Sequence, residues 1–134
     1  MRGTPYIMRR KILFVSPDNT CTTGAPGALV AIDLSTGTMK WQTPLPPQLG
    51  GPISTASGLT FMAATIDSKF RAFDSETGRV PWTADLPGGG KATPMTYLGR
   101  DGRQYVTIAA GGDGETWRPS DAIVTFALPP GERP

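Results

Sequence analysis

Residues 31–41 read AIDLSTGTMKW, and residues 72–82 read AFDSETGRVPW. Both obey A-x-D-x-x-T-G-x-x-x-W, and the second begins 41 residues after the first (31 to 72). A period near 40 is that of one four-stranded propeller blade. Helical solenoids share similar periods, but they need helix-forming runs. Here β-branched residues, Gly and Pro stand where such helices would be. Of 134 residues, 17 are Gly and 14 Pro, so turns must be frequent and long helices few.

Each motif reads as a strand, a tight turn and a return strand. In the first, residues 30–34 form the strand, and Ser35, Thr36, Gly37 and Thr38 the turn. Residues 40–43 form the return. Gly37 supplies the positive φ the turn needs, and Asp33 and Thr36 can bond turn backbone. The second copy runs through 71–73, turns at Glu76, Thr77 and Gly78, and returns over 80–84. Pro81 lies in that return. Proline donates no ladder bond, so this strand belongs at a sheet edge. The recurrence of Trp41 as Trp82 predicts packing between neighbouring blades rather than a stacking platform for a flat cofactor. Asp33 and Asp74, each placed before a T-G turn, are expected to hold turns rather than act as paired catalytic carboxylates.

Alternation and turn punctuation give further strands at 11–16, 52–55, 59–65, 93–98, 104–110 and 121–128. The expected architecture is all-β, a partial eight-bladed β-propeller of about two and a half blades. Residues 52–86 make one whole blade. Residues 11–43 make three strands of the blade before it, and residues 92–129 a last blade lacking its outer strand. Connections along the blades alternate between short turns on one rim and mostly longer Gly- and Pro-rich loops on the other, with Ile66-Asp67-Ser68 the short exception. Long loops on a rigid scaffold are where binding resides. The functional rim should therefore carry Asp18, Asn19, Gly50, Gly51, Asp67, Lys91 and Asp113.

Composition excludes several chemistries. There is no His, so no triad, metal ligand or general base of that type arises within the sequence. The single cysteine, Cys21, cannot form an internal disulfide or a multi-cysteine zinc site. It reads as an unpaired loop thiol. Thirteen basic and eleven acidic side chains leave a net charge of +2 with no basic cluster interleaved with aromatics, so no nucleic-acid partner is expected. Residues 1–11 are polar and basic, and the apolar run 12–15 is too short for a signal h-region. Gly88, Gly89, Gly90 and Lys91 lack phosphate-loop spacing. The segment Gly111, Gly112, Asp113 and Gly114 lacks the spaced carboxylates of an EF-hand.

The repeat resembles the tryptophan-docking motif of the quinoprotein dehydrogenases, whose eight-bladed propeller holds pyrroloquinoline quinone (PQQ). More closely, the sequence resembles the C-terminal part of the membrane-bound glucose and quinate/shikimate branch. The matching segments are Gly3-Thr4-Pro5-Tyr6, Ser16-Pro17, Gly50-Gly51-Pro52, residues 58–74, Ala92-Thr93-Pro94-Met95-Thr96-Tyr97, Gly102-Arg103-Gln104-Tyr105-Val106, Ala110-Gly111-Gly112 and Phe126-Ala127-Leu128-Pro129. They cover nearly the whole sequence in order.

The resemblance implies a longer parent on the periplasmic side of the inner membrane, often behind an N-terminal membrane anchor. It implies oxidation of a sugar or cyclic polyol, with electrons passed to PQQ and then to ubiquinone. It also implies a Ca²⁺ or Mg²⁺ ion beside the PQQ. Most residues for this chemistry would lie outside the sequence, so no catalytic or metal-ligating residue is assigned. Ala64-Thr65-Ile66-Asp67 matches a family segment near the cofactor, which makes Asp67 the cofactor-binding candidate.

Asp113 stands where glucose-oxidising members carry a His that influences substrate choice. Asp113 is therefore the substrate-binding candidate, with a plain solvated loop residue as the other reading. An acid there disfavours a carboxylated substrate by like-charge repulsion. Trp117 either lines a pocket mouth or packs half-buried. On its own, the chain is expected to be inactive and to self-associate through exposed strand edges. The alternative function is a non-catalytic β-propeller binding or assembly module.

Overall fold

The structure is a computed structural model that describes residues 27–46, 50–63, 65–112, 114–115 and 117–127. The expected strand at 11–16, together with Asp18, Asn19, Cys21 and Asp113, lies outside the described residues. Nine strands are described: β1 (Gly27–Asp33), β2 (Thr38–Leu45), β3 (Ile53–Ser54), β4 (Leu59–Met62), β5 (Lys69–Asp74), β6 (Trp82–Asp85), β7 (Met95–Leu98), β8 (Gln104–Ala110) and β9 (Ala122–Ala127). They form three antiparallel sheets in chain order, β1-β2, β3-β4-β5-β6 and β7-β8-β9. Every neighbour in a sheet is also the next strand in sequence, as in successive blades of a partial propeller.

The turns form for the reasons their residues suggest. Gly37 and Gly78 have φ of +70° and +72°. The Asp33 carboxylate accepts from the Ser35 backbone N–H at 2.8 Å and the Ser35 hydroxyl at 2.6 Å. Asp74 Oδ1 accepts from the N–H groups of Glu76 and Thr77 and from the Thr77 hydroxyl, at 2.8–2.9 Å. These bonds hold both carboxyls below the usual carboxylate range. The two aspartates are turn residues, as their position predicts.

Two boundaries differ from expectation. β4 ends at Met62 rather than at 65, because the chain turns over Thr65 to Ser68, where Ser68 takes φ +53°. β6 begins at Trp82, so Pro81 stands just before the return strand rather than inside it. The reason for placing it at an edge still holds. β6 pairs only with β5, so its outer side requires no donor.

Alternation assigns the two faces of the central sheet to different cores. Phe73 and Met62 point toward the first sheet and pack with Leu45 and Leu29. Phe70 points the other way, into a cluster with Ala63, Leu86, Val106, Ile108 and Ala110, flanked by Phe61, Trp82, Val124 and Phe126. The tryptophans join the sheets. Trp41 Nε1 donates to Ser75 O at 3.0 Å, and the Trp41 ring lies over Gly78. Trp82 meets Phe126 of the third sheet edge-on, with centroids 4.9 Å apart. Both indoles therefore pack between neighbouring sheets.

Candidate functional site

The turn after β4 carries the one described carboxylate among the two candidates. Thr65 is 1% exposed, and its hydroxyl donates to Asp67 Oδ1. Arg71, on β5, closes over the same carboxylate. Its Nη1 donates to Asp67 Oδ1 at 3.2 Å and to the Thr65 hydroxyl oxygen at 2.9 Å, while Nη2 pairs with Oδ2. The Lys69 N–H donates to Oδ1 at 3.3 Å. The pair is largely shielded, with side-chain exposures of 12% for Arg71 and 26% for Asp67.

A two-pronged guanidinium grip combines charge with fixed geometry. Burial alone would push the Asp67 carboxyl upward. The bonds from Arg71 and Thr65 outweigh it and hold the group below the ordinary carboxylate value. Such a carboxylate is a weak proton acceptor at neutral pH. It suits a fixed charge at a rim better than a general base.

Three rim segments meet at this turn. Leu86 N donates to Ser68 O at 2.8 Å. Trp117 Nε1 donates to Thr65 O at 2.8 Å, from the loop after β8. Trp117 is 3% exposed, which resolves its two readings in favour of packing, and Lys91 Nζ stands 5.0 Å above the ring centroid. Gly112 N donates to Gly89 O at 3.0 Å, and Ser120 N to Gly111 O at 2.8 Å. These bonds tie the base of the 111–120 loop to the glycine run. Gly88, Gly89 and Gly90 are buried and serve close packing: a Cβ on Gly89 would lie 2.3 Å from Trp117 Cγ. Asp67, Lys91 and the flanks of Asp113 thus share one rim.

Arg71 and Thr65 were not singled out by sequence reasoning. The available signal was a lone charge inside the apolar run of Phe70, Ala72 and Phe73, four residues after an aspartate. Such a charge needs a partner.

The described residues do not by themselves house a quinone cofactor with its cation. Among them no three acidic, His or Cys side chains converge as a metal site would require. Both oxygens of Asp67 are already engaged by Arg71.

The Asp67 carboxyl binds its proton less readily in the fold than when unfolded. Its contribution to stability is therefore present above the ordinary value of 3.8 and is lost as pH falls below it. Asp67→Asn should lower the melting temperature at pH 7 and flatten its decline as pH falls below 3.8. Acid melts that run parallel for both proteins would contradict the assignment.

Comparison with known proteins adds the following. Residues 1–106 match the family model "PQQ: Glucose/ethanol/alcohol dehydrogenase, beta-propeller domain". The quinate/shikimate dehydrogenase (quinone) of Acinetobacter baylyi is 34% identical over 96% of this chain and 18% of its own length. The quinoprotein glucose dehydrogenase of Escherichia coli is 41% identical over 95% of this chain and 18% of its own. The crystal structure of quinohemoprotein alcohol dehydrogenase from Comamonas testosteroni superposes with a TM-score of 0.66 at 27% identity, over 83% of this chain and 18% of that one. The chain therefore spans about a fifth of the length of these relatives.

Proposed function

Because this chain belongs to the PQQ glucose/ethanol/alcohol dehydrogenase β-propeller family, we propose that it supplies a C-terminal arc of such a propeller. In this arc, residues 11–43 belong to one blade, 52–86 to a full one and 92–129 to the blade after it. The complete enzyme would oxidise a sugar or cyclic polyol with electron transfer to ubiquinone, on the periplasmic side of the inner membrane. Its PQQ, with Ca²⁺ or Mg²⁺, would be held mainly by groups outside the described residues.

One observation supports this reading above the others. The rim that joins the second and third sheets brings the Asp67–Arg71 pair beside the base of the 111–120 loop. Asp67 is then the cofactor-side wall and Asp113 the substrate-side residue. Asp113 would favour neutral polyols over carboxylated ones. The reading as a non-catalytic assembly module finds no comparable support, since the relatives named above are dehydrogenases.

A chimera tests the proposal. This chain replaces the matching segment of the Escherichia coli quinoprotein glucose dehydrogenase, and PQQ-dependent dye reduction is followed with several polyols. The folded chimera should turn over. Asp67→Asn within it should weaken PQQ retention, and Asp113→Asn should change the preference among substrates. The isolated chain with PQQ and Ca²⁺ should show no turnover and should self-associate by light scattering. A folded but inactive chimera, or rapid turnover by the chain alone, overturns the reading.

A further inference from the structure

Asp67 and Arg71 are held in place by different means. Arg71 stands within β5, in register with Met62 on β4 and Thr83 on β6, so the sheet fixes where its side chain starts. Asp67 has no such register, because it lies in the turn between β4 and β5. Where its carboxylate sits depends on what shapes that turn.

The turn is under constraint. Ser68 has φ +53°, and among the described residues it is the only one other than glycine with a positive φ. A residue with a Cβ keeps that conformation only where its surroundings over-determine it. Leu86 N donates to Ser68 O at 2.8 Å, from just past β6 of the same sheet. Ser68 N donates to Thr65 O at 3.1 Å and closes the turn.

The same Thr65 carbonyl receives the Trp117 indole at 2.8 Å. A carbonyl oxygen has two lone pairs, and these two donors use both. Thr65 is 1% exposed, so bulk water does not stand ready to replace a lost indole N–H. Its hydroxyl meanwhile donates to Asp67 Oδ1 and accepts from Arg71 Nη1 at 2.9 Å. One residue thus takes the indole on its backbone and the ion pair on its side chain. A buried indole N–H needs some acceptor. Here the acceptor is the carbonyl that closes the Asp67 turn. The ring is itself fixed: Gly89 leaves it room, since a Cβ there would lie 2.3 Å from Trp117 Cγ, and Lys91 Nζ stands 5.0 Å from the ring centroid.

We propose that Trp117 is a positioning residue: through Thr65, its indole N–H sets the placement of the Asp67 carboxylate against Arg71. The proposal rests on the reading of Asp67 as the cofactor-side wall. The loop after β8 then governs the charge at that wall without touching it. Withdrawing the indole loosens the turn, turns the carboxylate out of the two-pronged grip of Arg71, and weakens the hold on a quinone cofactor.

The test deletes the N–H and keeps a ring. In the isotopically labelled full chain, Trp117 is replaced by 3-benzothienylalanine, in which sulfur stands where the indole N–H was. Trp117→Phe is the genetically encoded counterpart. Ile108→Val controls for general loosening, since it trims the buried core and removes no polar atom. The Asp67 carboxyl carbon, the Lys69 amide and the Arg71 Nη signals should shift in both N–H-deleted proteins and hold their places in Ile108→Val. Unmoved signals in the N–H-deleted proteins overturn the proposal, and so do shifts of equal size in Ile108→Val. A second arm uses the chimera, with PQQ retention followed by dialysis. Trp117→Phe should release PQQ roughly tenfold faster, as loss of an orienting partner does at other sites. Combined with Asp67→Asn it should add little, because both changes remove the same placed charge. Full additivity overturns the proposal. A folded chimera that retains no PQQ defeats the cofactor reading of Asp67 alone, and the carboxyl and guanidinium signals then decide the role of Trp117.

Discussion

Gly89→Ala should destabilise the protein by about 3 kcal/mol, the upper end of what overpacking costs, although it adds a single methyl. The new Cβ would sit 2.3 Å from Trp117 Cγ and 2.5 Å from Cδ2. A flexible neighbour could swing away, but this indole cannot. Its N–H is committed to Thr65 O, its ring is 3% exposed, and the glycine run continues on both sides. A Cβ on Gly88 would meet Ala110 O at 2.7 Å, and one on Gly90 would meet Ala63, Leu86 and Ile108 at 2.8–3.0 Å.

Urea unfolding of Gly89→Ala, Trp117→Ala and the double variant separates the causes. If the clash is with the indole, Gly89→Ala costs much less in the Trp117→Ala background, a coupling of about 2 kcal/mol. Equal cost in both backgrounds would place the strain elsewhere. Amide exchange should speed up at Gly112 and Ser120, because Gly112 N bonds Gly89 O and Ser120 N bonds Gly111 O. The effect then reaches the loop that carries Asp113.

Much of this architecture was legible in the sequence, because the features that announce it are local. A Gly four residues after an Asp, as in Asp33–Gly37 and Asp74–Gly78, fixes a turn, and strand alternation fixes which side chains share a face. An indole that recurs at the same place in the repeat packs each time toward the next sheet, Trp41 on Gly78 and Trp82 on Phe126. Asp33, Asp74, Trp41 and Trp82 therefore do what their spacing implies.

The site is less legible because it is built across sequence distance. Nothing in the run from Lys91 to Trp117 says that the indole reaches Thr65. Nothing in Gly88, Gly89 and Gly90 distinguishes a pliant loop from one stripped of side chains to admit a ring. Pro81 was misplaced by one residue for a related reason. A proline marks an edge but not whether the pairing begins on it or just after it.

Phe70→Ala should cost about 3–5 kcal/mol, as for a large ring removed from a closed core. Phe70 is 0% exposed, with ring centroids 5.9 Å from Phe61, 5.8 Å from Trp82 and 5.9 Å from Phe126. It touches both its own sheet and the next, so no one-sided relaxation can refill the void. Phe70→Leu keeps most of the apolar volume and should lose roughly 1–2 kcal/mol. Ile32→Ala, on the exposed face of the first sheet, should stay within about 0.5 kcal/mol.

The contrast distinguishes two pictures of the molecule. If the second and third sheets share one core, Phe70→Ala lowers the denaturation midpoint for probes in both, including the fluorescence of Trp82 and Trp117. If the sheets were independently stable, the third would keep its transition while the second lost its own. The edge-on packing of Trp82 on Phe126 at 4.9 Å favours the shared core. The same packing explains why a rim made by two sheets can hold a carboxylate, a guanidinium and an indole in fixed register: the three side chains are positioned by a single cooperative unit.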